Sequence, residues 1–514
     1  MDKRTVLAVD LGTTNCKTLL LDEQCRIVQK HTVEYSVSVP RPGWAEQQPE
    51  QWWQAVKSSI GRVVADAEPG EIQAIGLSGQ MHGLVALDAH GQVVRPAILW
   101  NDQRSSPQCE EIYARVGGRD RLRAYTNNPM LPGYTGGKIL WLRDHEPEHY
   151  AAIATILLPK DYIRYRLTGT YGTDESDASG TGLFDVRRRC WATGLLDTLQ
   201  LPEHWFPPVH RSVDVVGELR AELAAEWGLP AHTPVIAGGG DAVVQTVGSG
   251  AITSDVALIV IGTGGNVTVS LPEPGDNPGS LLQVFCHVVP ERWVAMGVTL
   301  SAGSSLKWYR DTLGGLETQL ARDLGRDSYE ILSQEAALSS PGSNGLLFLP
   351  YLQGERCPHV DVHAKGAFFG LGLHTSKSDV VRSVLEGVTY SLRDVLEVIQ
   401  GYGFHAKVIR ASGGGSSSAV WRQIQADVFD REVTTLDHSE DAGALGAAIL
   451  AGLPAGFWPS ADSAVTLLPN RTHDRPAPES AKVYERFFAV YKSLYPTLKP
   501  VFRTLTSASD TSMW

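Results

Sequence analysis

One short loop occurs twice in the chain, and this repeat constrains the fold more than any other feature. Residues 6–20 read VLAVDLGTTNCKTLL, and residues 257–271 read ALIVIGTGGNVTVSL. Each copy is an apolar run rich in β-branched residues, a Gly-Thr turn of small residues, and a second such run. The copies lie about half the length of the 514-residue chain apart. The repeat therefore predicts that each half of the chain opens with a β-hairpin.

The tips of these hairpins are suited to phosphate. Small residues leave backbone N–H groups unobstructed, and such groups can bind phosphate oxygens. Only the first copy carries an acid, Asp10, near the end of its first strand, whereas the second copy ends that strand with Ile261. A pepsin-like protease is excluded, because its two hairpins each need a carboxylate. The alternative is that these are two ordinary hairpins. The repeat at half the chain length favours two loops that bind a polyphosphate from both sides.

Length and composition limit the function classes. A chain of 514 residues is too long for one core, so two domains are expected. The predicted N-terminal domain comprises residues 1–233, and the predicted C-terminal domain comprises residues 234–514. No apolar run approaches the roughly 20 residues that span a bilayer, and the N-terminus lacks a signal-peptide pattern, so a cytoplasmic location is expected. A formal net charge of −12 argues against nucleic acid and anionic membranes as partners. The six cysteines form no CxxC pair and indicate neither zinc nor a disulfide framework.

The hydrophobic periodicity predicts an α/β layered fold. In the first half, strands are expected over residues 5–10, 18–22, 27–35 and 72–77, and a helix over residues 49–67. In the second half, helices are expected over residues 378–402 and 442–451, and a strand over residues 408–411. Residues 96–234 are less regular and rich in aromatic side chains, which is typical of an insertion that could cover a cleft.

Asp241 is the strongest single candidate for catalysis. It follows three glycines and precedes AVVQTVGSG, which reads as the start of a helix. Glycines permit close approach of the backbone, and a carboxylate exposed by such a turn can accept a proton from a phosphoryl acceptor. The alternative is a plain helix N-cap, a position where Asp is favoured in any case. Asp10 is the second candidate, because an acid at a strand end can hold Mg²⁺ directly or through water.

Two polar clusters and one further glycine-rich loop are weaker signals. Gln80, Met81 and His82 follow a buried strand, and their side chains suit sugar hydroxyls and an apolar wall, although a core histidine would read the same way. Trp100 and Asp102 form a similar cluster, in which a structural tryptophan beside a surface ion pair is the alternative. The loop at residues 412–418 follows a strand but lacks the spacing of known nucleotide-binding motifs.

Taken together, these residues resemble the FGGY family of carbohydrate kinases, which has the actin-like ATPase fold. Residues 133–145, GYTGGKILWLRDH, and residues 366–386, GAFFGLGLHTSKSDVVRSVLE, are similar to the two family signatures. The resemblance covers nearly the whole chain. It implies two ribonuclease-H-like domains with an ATP cleft between them, the first for the sugar and the second for the nucleotide and the catalytic acid.

The resemblance also implies roles for individual residues. Asp241 would be the general base, and Asp10 would lie near Mg²⁺, with water between them. The sugar would contact Asp241 and five residues of the first half, namely Gln80, Met81, His82, Trp100 and Asp102. ATP would contact the two hairpin tips and three further segments, that is Gly12, Thr13, Thr14, Gly262, Thr263, Gly264, Trp308, Gly413, Gly414 and Ser417.

The implied activity is ATP- and Mg²⁺-dependent phosphorylation of a ketopentose, with D-xylulose expected first. The segments SGQMHG, ILWNDQR, LLPKDYIRYRLTG and LPYLQGER are similar to those of family members that act on this sugar. Ala242 stands where those members usually have Asn, which leaves ribulose, gluconate and glycerol as alternative substrates. An inactive sugar sensor or an actin-like filament protein is the alternative from another class. A homodimer is a further possibility that the sequence leaves open.

Overall fold

In the computed structural model, residues 4–65, 67–68 and 70–509 are described, and they form two compact units. Unit 1 comprises the described residues up to Ile252 together with Ser270–Ala295 and Glu440–Leu468. Unit 2 comprises Thr253–Val269, Met296–Ser439 and the described residues from Pro469 onward. Residues 234–252, which the sequence division assigned to the second half, pack in unit 1, because the strands at residues 234–236 and 239–240 pair with the strand at residues 72–79.

The strands are numbered in chain order. They are β1 Thr5–Leu11, β2 Asn15–Asp22, β3 Ile27–Glu34, β4 Glu46–Gln47, β5 Ile72–Gly79, β6 Val85–Leu87, β7 Ala97–Ile98, β8 Thr155–Leu157, β9 Thr173–Asp174, β10 Phe184–Asp185, β11 Cys190–Trp191, β12 Val209–His210, β13 Val215–Glu218, β14 Pro234–Ile236, β15 Gly239–Gly240, β16 Val256–Ile261, β17 Gly265–Leu271, β18 Gln283–Cys286, β19 Trp293–Thr299, β20 Leu347–Leu349, β21 Ala367–Phe369, β22 Val408–Ser412, β23 Glu432–Leu436 and β24 Asn470–Asp474.

The α-helices are numbered in the same way. They are α1 Pro49–Val64, α2 Ser106–Val116, α3 Arg119–Thr126, α4 Thr135–His145, α5 Pro147–Ala152, α6 Pro159–Thr168, α7 Glu175–Ser179, α8 Thr193–Leu199, α9 Ala221–Trp227, α10 Asp241–Gly248, α11 Gly303–Thr312, α12 Gly315–Leu324, α13 Ser328–Ala337, α14 Lys377–Gln400, α15 Ala419–Phe429, α16 Ala442–Gly452, α17 Ala461–Val465 and α18 Pro478–Ser509.

The main sheet of unit 1 has the order β13-β14-β5-β1-β2-β3, with β15 also paired to β5. The first hairpin, β1 and β2, is antiparallel, and β5 runs parallel to β1. Helix α1 buries Trp52, Val56, Ile60 and Val63 in the core of this unit, which follows the 3.6-residue spacing of the sequence. The sheet thus places the ends of β1, β5 and β15 at the same edge.

Helix α16 is built from small residues, and the glycines around it explain this composition. A Cβ atom on Gly76 of β5 would lie 2.1 Å from the carbonyl oxygen of Ala447, and one on Gly446 would lie 2.2 Å from that of Val244 in α10. Larger residues at these positions would push the helix away from β5 and α10. The AGALGAAILA segment therefore allows three elements of unit 1 to pack backbone to backbone.

Unit 2 repeats the arrangement around the second hairpin. Strands β16 and β17 are antiparallel, and β22 runs parallel to β16, as β5 does to β1. Strand β23 is parallel to β22, and β24 is antiparallel to β23. Helix α14 begins with a capping box in which Ser376 and Asp379 exchange side-chain to backbone hydrogen bonds. Both predicted hairpins are confirmed, and each carries a parallel strand beside its first strand.

The predicted elements have the observed type, with ends that shift by a few residues. Helix α1, for example, ends at Val64 rather than at residue 67. The sequence pattern over residues 96–234 is less regular and predicted no individual elements, and the structure places α2 to α9 there. These helices are short and bounded by proline near the start of α2, α5 and α6 and by left-handed glycines after α2, α6 and α9, so no long periodic run marks them. Among the described residues, none of the helices combines the length and apolar character that crossing a membrane requires.

Candidate functional site

Asp10 lies near the end of β1, opposite Ser78 of β5 and Lys17 of β2. The Ser78 hydroxyl donates to Asp10 Oδ1 at 2.7 Å. Burial raises the pKa of Asp10, and the Ser78 hydrogen bond and the Lys17 charge offset part of that rise. The strand register therefore fixes one oxygen of this carboxylate and leaves the other to a different neighbour.

That neighbour is the beginning of helix α16. A Cβ atom on Gly443 would lie 2.2 Å from Asp10 Oδ2, so only glycine permits this approach. The partial positive charge of a helix N-terminus favours a carboxylate. Asp441, directly before α16, is buried and pairs with Lys17 at 2.7 Å and with Lys30 at 2.6 Å. The two lysines thus tie the start of the helix to β2 and β3.

Asp241 is the first residue of helix α10, and Gly240 occupies the N-cap position without a side-chain cap. The plain N-cap interpretation of Asp241 therefore does not describe the structure. Its Oδ1 accepts the Ala242 N–H at 2.7 Å. Burial and then the charge of Asp10 raise the pKa of Asp241 to about 7, and the Ala242 N–H offsets part of that rise. The two predicted catalytic acids lie in one unit, and the charge of Asp10 acts on Asp241.

The three glycines before Asp241 serve close packing of their loop. Gly238 has a φ of +72°, and a Cβ atom there would lie 2.2 Å from the carbonyl oxygen of Leu77. Cβ atoms on Gly239 and Gly240 would lie 2.4 Å from Val288 Cγ1 and 2.6 Å from Met81 Cγ. The loop is thus pressed against β5 and against Met81, which brings a predicted sugar-binding residue next to the predicted base.

His82 follows Met81 in a left-handed conformation, with a φ of +68°. Its Nδ1 lies 2.5 Å from the carbonyl oxygen of Gly180, and its ring stacks on Tyr134 with centroids 4.6 Å apart. The Lys138 ammonium donates to the His82 carbonyl oxygen at 2.7 Å. The imidazole and the backbone of His82 are therefore both fixed, which suits a residue that recognises a ligand.

Gln80 and Trp100, two further predicted sugar residues, connect to the first hairpin loop, which we define as residues 12–14. Gln80 Nε2 donates to Gln47 Oε1 at 3.1 Å, and Gln47 Nε2 donates to the Thr13 carbonyl oxygen at 2.7 Å. Trp100 Nε1 donates to Thr13 Oγ1 at 2.9 Å, while its side chain remains about half exposed. These contacts connect the predicted sugar segment with the predicted phosphate loop.

Asp102 lies in a different setting. Its carboxylate forms an ion pair with Arg104 at 2.7 Å and accepts the Ala45 N–H at 2.6 Å. Both side chains of the pair are almost completely buried, so the pair is not at the surface. Contact between Asp102 and a sugar stays a prediction, and the observed bonds give Asp102 a structural task in unit 1.

The first hairpin loop is supported by side chains. The Tyr35 hydroxyl lies 2.6 Å from the Gly12 carbonyl oxygen and 2.9 Å from that of Asn15. Gly12 N–H donates to the Asn15 carbonyl oxygen at 2.9 Å and closes the turn. Thr14 is exposed at the tip, and Gly12 and Thr13 are partly exposed.

The second hairpin loop, residues 262–264 of unit 2, is supported by backbone. The N–H groups of Ala302, Gly303 and Ser304, at the start of α11, donate to carbonyl oxygens of Gly262 and Thr263 at 2.8–3.1 Å. Gly262 and Thr263 are exposed. Trp308 follows on α11, and its ring faces Phe348 with centroids 6.1 Å apart.

The glycine-rich loop after β22 meets the second hairpin within unit 2. Gly413 has a φ of +75°, and a Cβ atom there would lie 2.6 Å from the carbonyl oxygen of Ile261. Gly414 and Ser417 are exposed beside it. Unit 2 thus brings together the glycines that the sequence assigned to the nucleotide.

Sequence reasoning missed several residues that shape these sites. Ser78, Gly443 and Asp441 surround Asp10, and Tyr35 and Gln47 support the first hairpin loop. The sequence could have indicated Ser78, because this polar residue directly follows the apolar run of β5. Nothing local to Gly443 or Asp441 indicates a neighbour more than 400 residues earlier in the chain.

Two family models match the chain. Residues 5–248 match the N-terminal domain of the FGGY family of carbohydrate kinases, and residues 257–455 match its C-terminal domain. The chain is 37% identical to a xylulose kinase of Escherichia coli (strain K12) over 495 residues, which cover 96% of this chain and 99% of that protein. It is 30% identical to a gluconokinase of Bacillus subtilis (strain 168), with 95% of each chain covered.

A solved structure extends this similarity to the fold. The crystal structure of a xyloylose kinase from Brucella ovis superposes with a TM-score of 0.89 at 36% identity and covers 97% of this chain and 100% of its own. The predicted α/β fold with two ribonuclease-H-like, actin-like domains is thereby confirmed.

Proposed function

The chain belongs to the FGGY family of carbohydrate kinases, and on this premise we propose that it transfers the γ-phosphoryl group of ATP to the terminal hydroxyl of D-xylulose, giving D-xylulose 5-phosphate. That the chain is a sugar kinase follows from its relatives. The choice of D-xylulose rests on the xylulose kinases among them. The roles of individual residues rest on the geometry of the two units.

The observation that carries the mechanism is Asp241 at the first position of α10, with its pKa raised to about 7. A base with a pKa near the working pH combines a useful deprotonated fraction with a useful affinity for the proton. We propose that Asp241 accepts the proton of the sugar hydroxyl. The hydroxyl oxygen then forms a bond to the γ-phosphorus, and the bond from that phosphorus to the oxygen of the leaving ADP breaks.

Asp10 is suited to Mg²⁺, because carboxylate oxygens are the ligands this ion prefers. Ser78 orients one of its oxygens, and the other lies against Gly443, where a Cβ atom would collide with it. Mg²⁺, when bound with ATP, neutralises charge on the phosphates. We propose that the residues of the two hairpin loops, namely Gly12, Thr13, Thr14, Gly262, Thr263 and Gly264, contact the phosphates through backbone N–H groups. Trp308, Gly413, Gly414 and Ser417 of unit 2 would contact the nucleoside.

Met81 and His82 are the best supported sugar residues, since Met81 packs on the loop of the base and His82 is held on both sides. Ala242, the residue after the base, is partly buried and supplies no side-chain hydrogen bond. The gluconokinase among the relatives makes gluconate the alternative that most needs testing.

A panel of D-xylulose, ribulose, gluconate and glycerol, assayed by ADP release, tests the substrate. We expect kcat/KM to be highest for D-xylulose, and a sugar preferred at least about tenfold over it, roughly 1.4 kcal/mol, would replace that assignment. Asp241→Asn keeps the shape of the side chain and should lower kcat by about 10²–10⁴-fold. A variant that keeps half its activity would contradict the role of the base. Activity in the panel also separates an enzyme from an inactive sensor, and sedimentation with ATP tests for filaments.

We also propose a cytoplasmic enzyme, because ATP is available there and all six cysteines are free thiols. A homodimer remains a prediction, and the mass measured by light scattering tests it.

A further inference from the structure

Helix α7 and the residues around it contact both loops that carry the proposed reaction in unit 1. Gly180, which follows α7, presents its carbonyl oxygen to His82 Nδ1 at 2.5 Å. Ser176, on α7, presents its hydroxyl oxygen to the N–H of Gly240 at 3.1 Å. Gly240 directly precedes Asp241 and is the N-cap of α10. One short segment thus contacts both the His82 imidazole and the backbone directly before the proposed base.

The orientation of the Ser176 hydroxyl is set by Asp174. The hydroxyl donates to Asp174 Oδ2 at 2.5 Å, and since its single proton is used there, its lone pairs face the Gly240 N–H. Asp174 is fully buried and caps α7 by accepting the Ser176 N–H at 2.8 Å. Lys160, also buried, lies 2.8 Å from the other oxygen of Asp174. A buried ion pair therefore fixes the direction in which the Ser176 hydroxyl accepts.

Asp174 is also connected to the glycine loop through Ser212, but there the loop binds the backbone of the serine and not its side chain. The Ser212 hydroxyl donates to Asp174 Oδ2 at 2.8 Å. The Gly238 N–H, however, donates to the backbone carbonyl oxygen of Ser212 at 2.9 Å and not to its side chain. Removal of the Ser212 hydroxyl would leave the Gly238 bond in place, whereas removal of the Ser176 hydroxyl would leave the buried Gly240 N–H without this acceptor.

We infer that Ser176 is a positioning residue for phosphoryl transfer, which holds the Gly240 N–H and thereby sets the direction of the Asp241 carboxylate. This inference rests on the proposed role of Asp241 as the base. Pairing of β15 with β5 holds one side of the loop, and the Ser176 hydroxyl adds a bond from α7 to the Gly240 N–H, directly before the base. A displacement of the base by a fraction of an ångström would lower the rate of the chemical step without weakening the binding of ATP.

The test compares Ser176→Ala with the matched control Ser212→Ala, since each removes one buried hydroxyl from Asp174 Oδ2. For the sugar that the wild-type enzyme turns over fastest, we expect Ser176→Ala to lower kcat by roughly tenfold or more, with KM for ATP unchanged. Ser212→Ala should stay within about twofold of wild type in both constants. Ser176→Cys, which keeps a weaker hydrogen-bonding group, should lie between wild type and Ser176→Ala, and it replaces Ser176→Ala if that variant does not fold.

Hydrogen–deuterium exchange of peptides that contain residues 238–242 provides a readout that does not depend on activity. Exchange should be faster in Ser176→Ala and unchanged in Ser212→Ala. If Asp241→Asn is inactive, two results would overturn the inference. One is an equal loss of kcat in Ser176→Ala and Ser212→Ala, and the other is a Ser176→Ala variant with wild-type kcat and wild-type exchange. An active Asp241→Asn variant would overturn the role of the base and this inference with it, and that result is distinguishable because it appears in a different variant.

Discussion

The two hairpin loops share a sequence pattern but are held mainly by different kinds of group. In unit 1, side chains of Tyr35, Gln47 and Trp100 bind the carbonyl oxygens and the hydroxyl of the first hairpin loop, and one backbone group, the Tyr35 N–H, donates to the Thr14 carbonyl oxygen. In unit 2, backbone N–H groups at the start of α11 bind the carbonyl oxygens of the second hairpin loop. The first hairpin also carries Asp10, and the second carries no acid at its tip. The first hairpin loop is thus held mainly by side chains, and the second is held mainly by backbone.

This difference predicts which kind of substitution each hairpin tolerates. The first should respond to the loss of individual side chains, because each removes a bond that the backbone does not replace. The second should tolerate the replacement of nearby side chains. It should be weakened by a substitution that adds an atom between α11 and the loop. The following predictions test this contrast.

The largest effect is expected for Asp10→Ala. The variant should lower kcat by about 10²–10³-fold and raise the Mg²⁺ concentration needed for half-maximal rate, because the proposed ligand is lost. Isothermal titration with D-xylulose should give an unchanged affinity, since Asp10 belongs to the hairpin and not to the segment of Met81 and His82. A collapse of sugar affinity together with a normal Mg²⁺ dependence would show that the two halves of the site have been assigned wrongly.

The second hairpin should be broken most effectively by Gly303→Ala. A Cβ atom there would lie 2.4 Å from the Gly262 carbonyl oxygen, and overpacking of this kind costs about 1–3 kcal/mol. We expect KM for ATP to rise by roughly tenfold, the equivalent of about 1.4 kcal/mol. Gly315→Ala, at the first position of α12, is the matched control, because nothing lies within 4 Å of its Cβ position. Equal KM values for the two variants would contradict the backbone support of this loop.

The two hairpins and the position of Asp241 could be predicted from the sequence, whereas the contacts that support the hairpin loops could not. The hairpins and the position of Asp241 depend on local patterns, that is alternating β-branched residues and glycines before a helix. The support of the loops depends on contacts between distant segments. Tyr35 reaches back about 20 residues, and Asp441 pairs with Lys17 more than 400 residues away. Asp102 resembled a ligand because its neighbours are polar, whereas only the structure shows Arg104 and Ala45 occupying its oxygens.

The long-range support of the first hairpin should appear as a pH-dependent stability. Burial alone would raise the pKa of Asp441, but hydrogen bonds and charges of Lys17 and Lys30 hold it below its ordinary value of 3.8. The ionised carboxylate therefore stabilises the fold fully above that value, and its contribution is lost as the pH falls through the lowered pKa. Asp441→Asn should be less stable than wild type by about 1.5–3 kcal/mol at pH 7, since its hydrogen bonds are charge-assisted.

Thermal unfolding of both proteins as a function of pH measures this difference. The gap in Tm should be widest near neutral pH and should narrow below the ordinary pKa of the carboxyl group, where wild type also loses the charge. A gap that stays constant down to the acid range would mean that the asparagine changes packing and that the two ion pairs contribute little.

The smallest effect, and the sharpest test of the comparison, is expected for Tyr35→Phe. This change removes only the hydroxyl that contacts the Gly12 and Asn15 carbonyl oxygens, and a neutral hydrogen bond is worth about 0.5–1.5 kcal/mol. KM for ATP should rise roughly threefold, which corresponds to about 0.7 kcal/mol, with kcat and the KM for the sugar unchanged. Tyr171→Phe is the matched control, because that ring is exposed and stacks on Tyr165 of α6. If Tyr35→Phe leaves KM for ATP at the wild-type value, the turn closed by the Gly12 N–H is sufficient by itself, and the two hairpins are both supported by backbone.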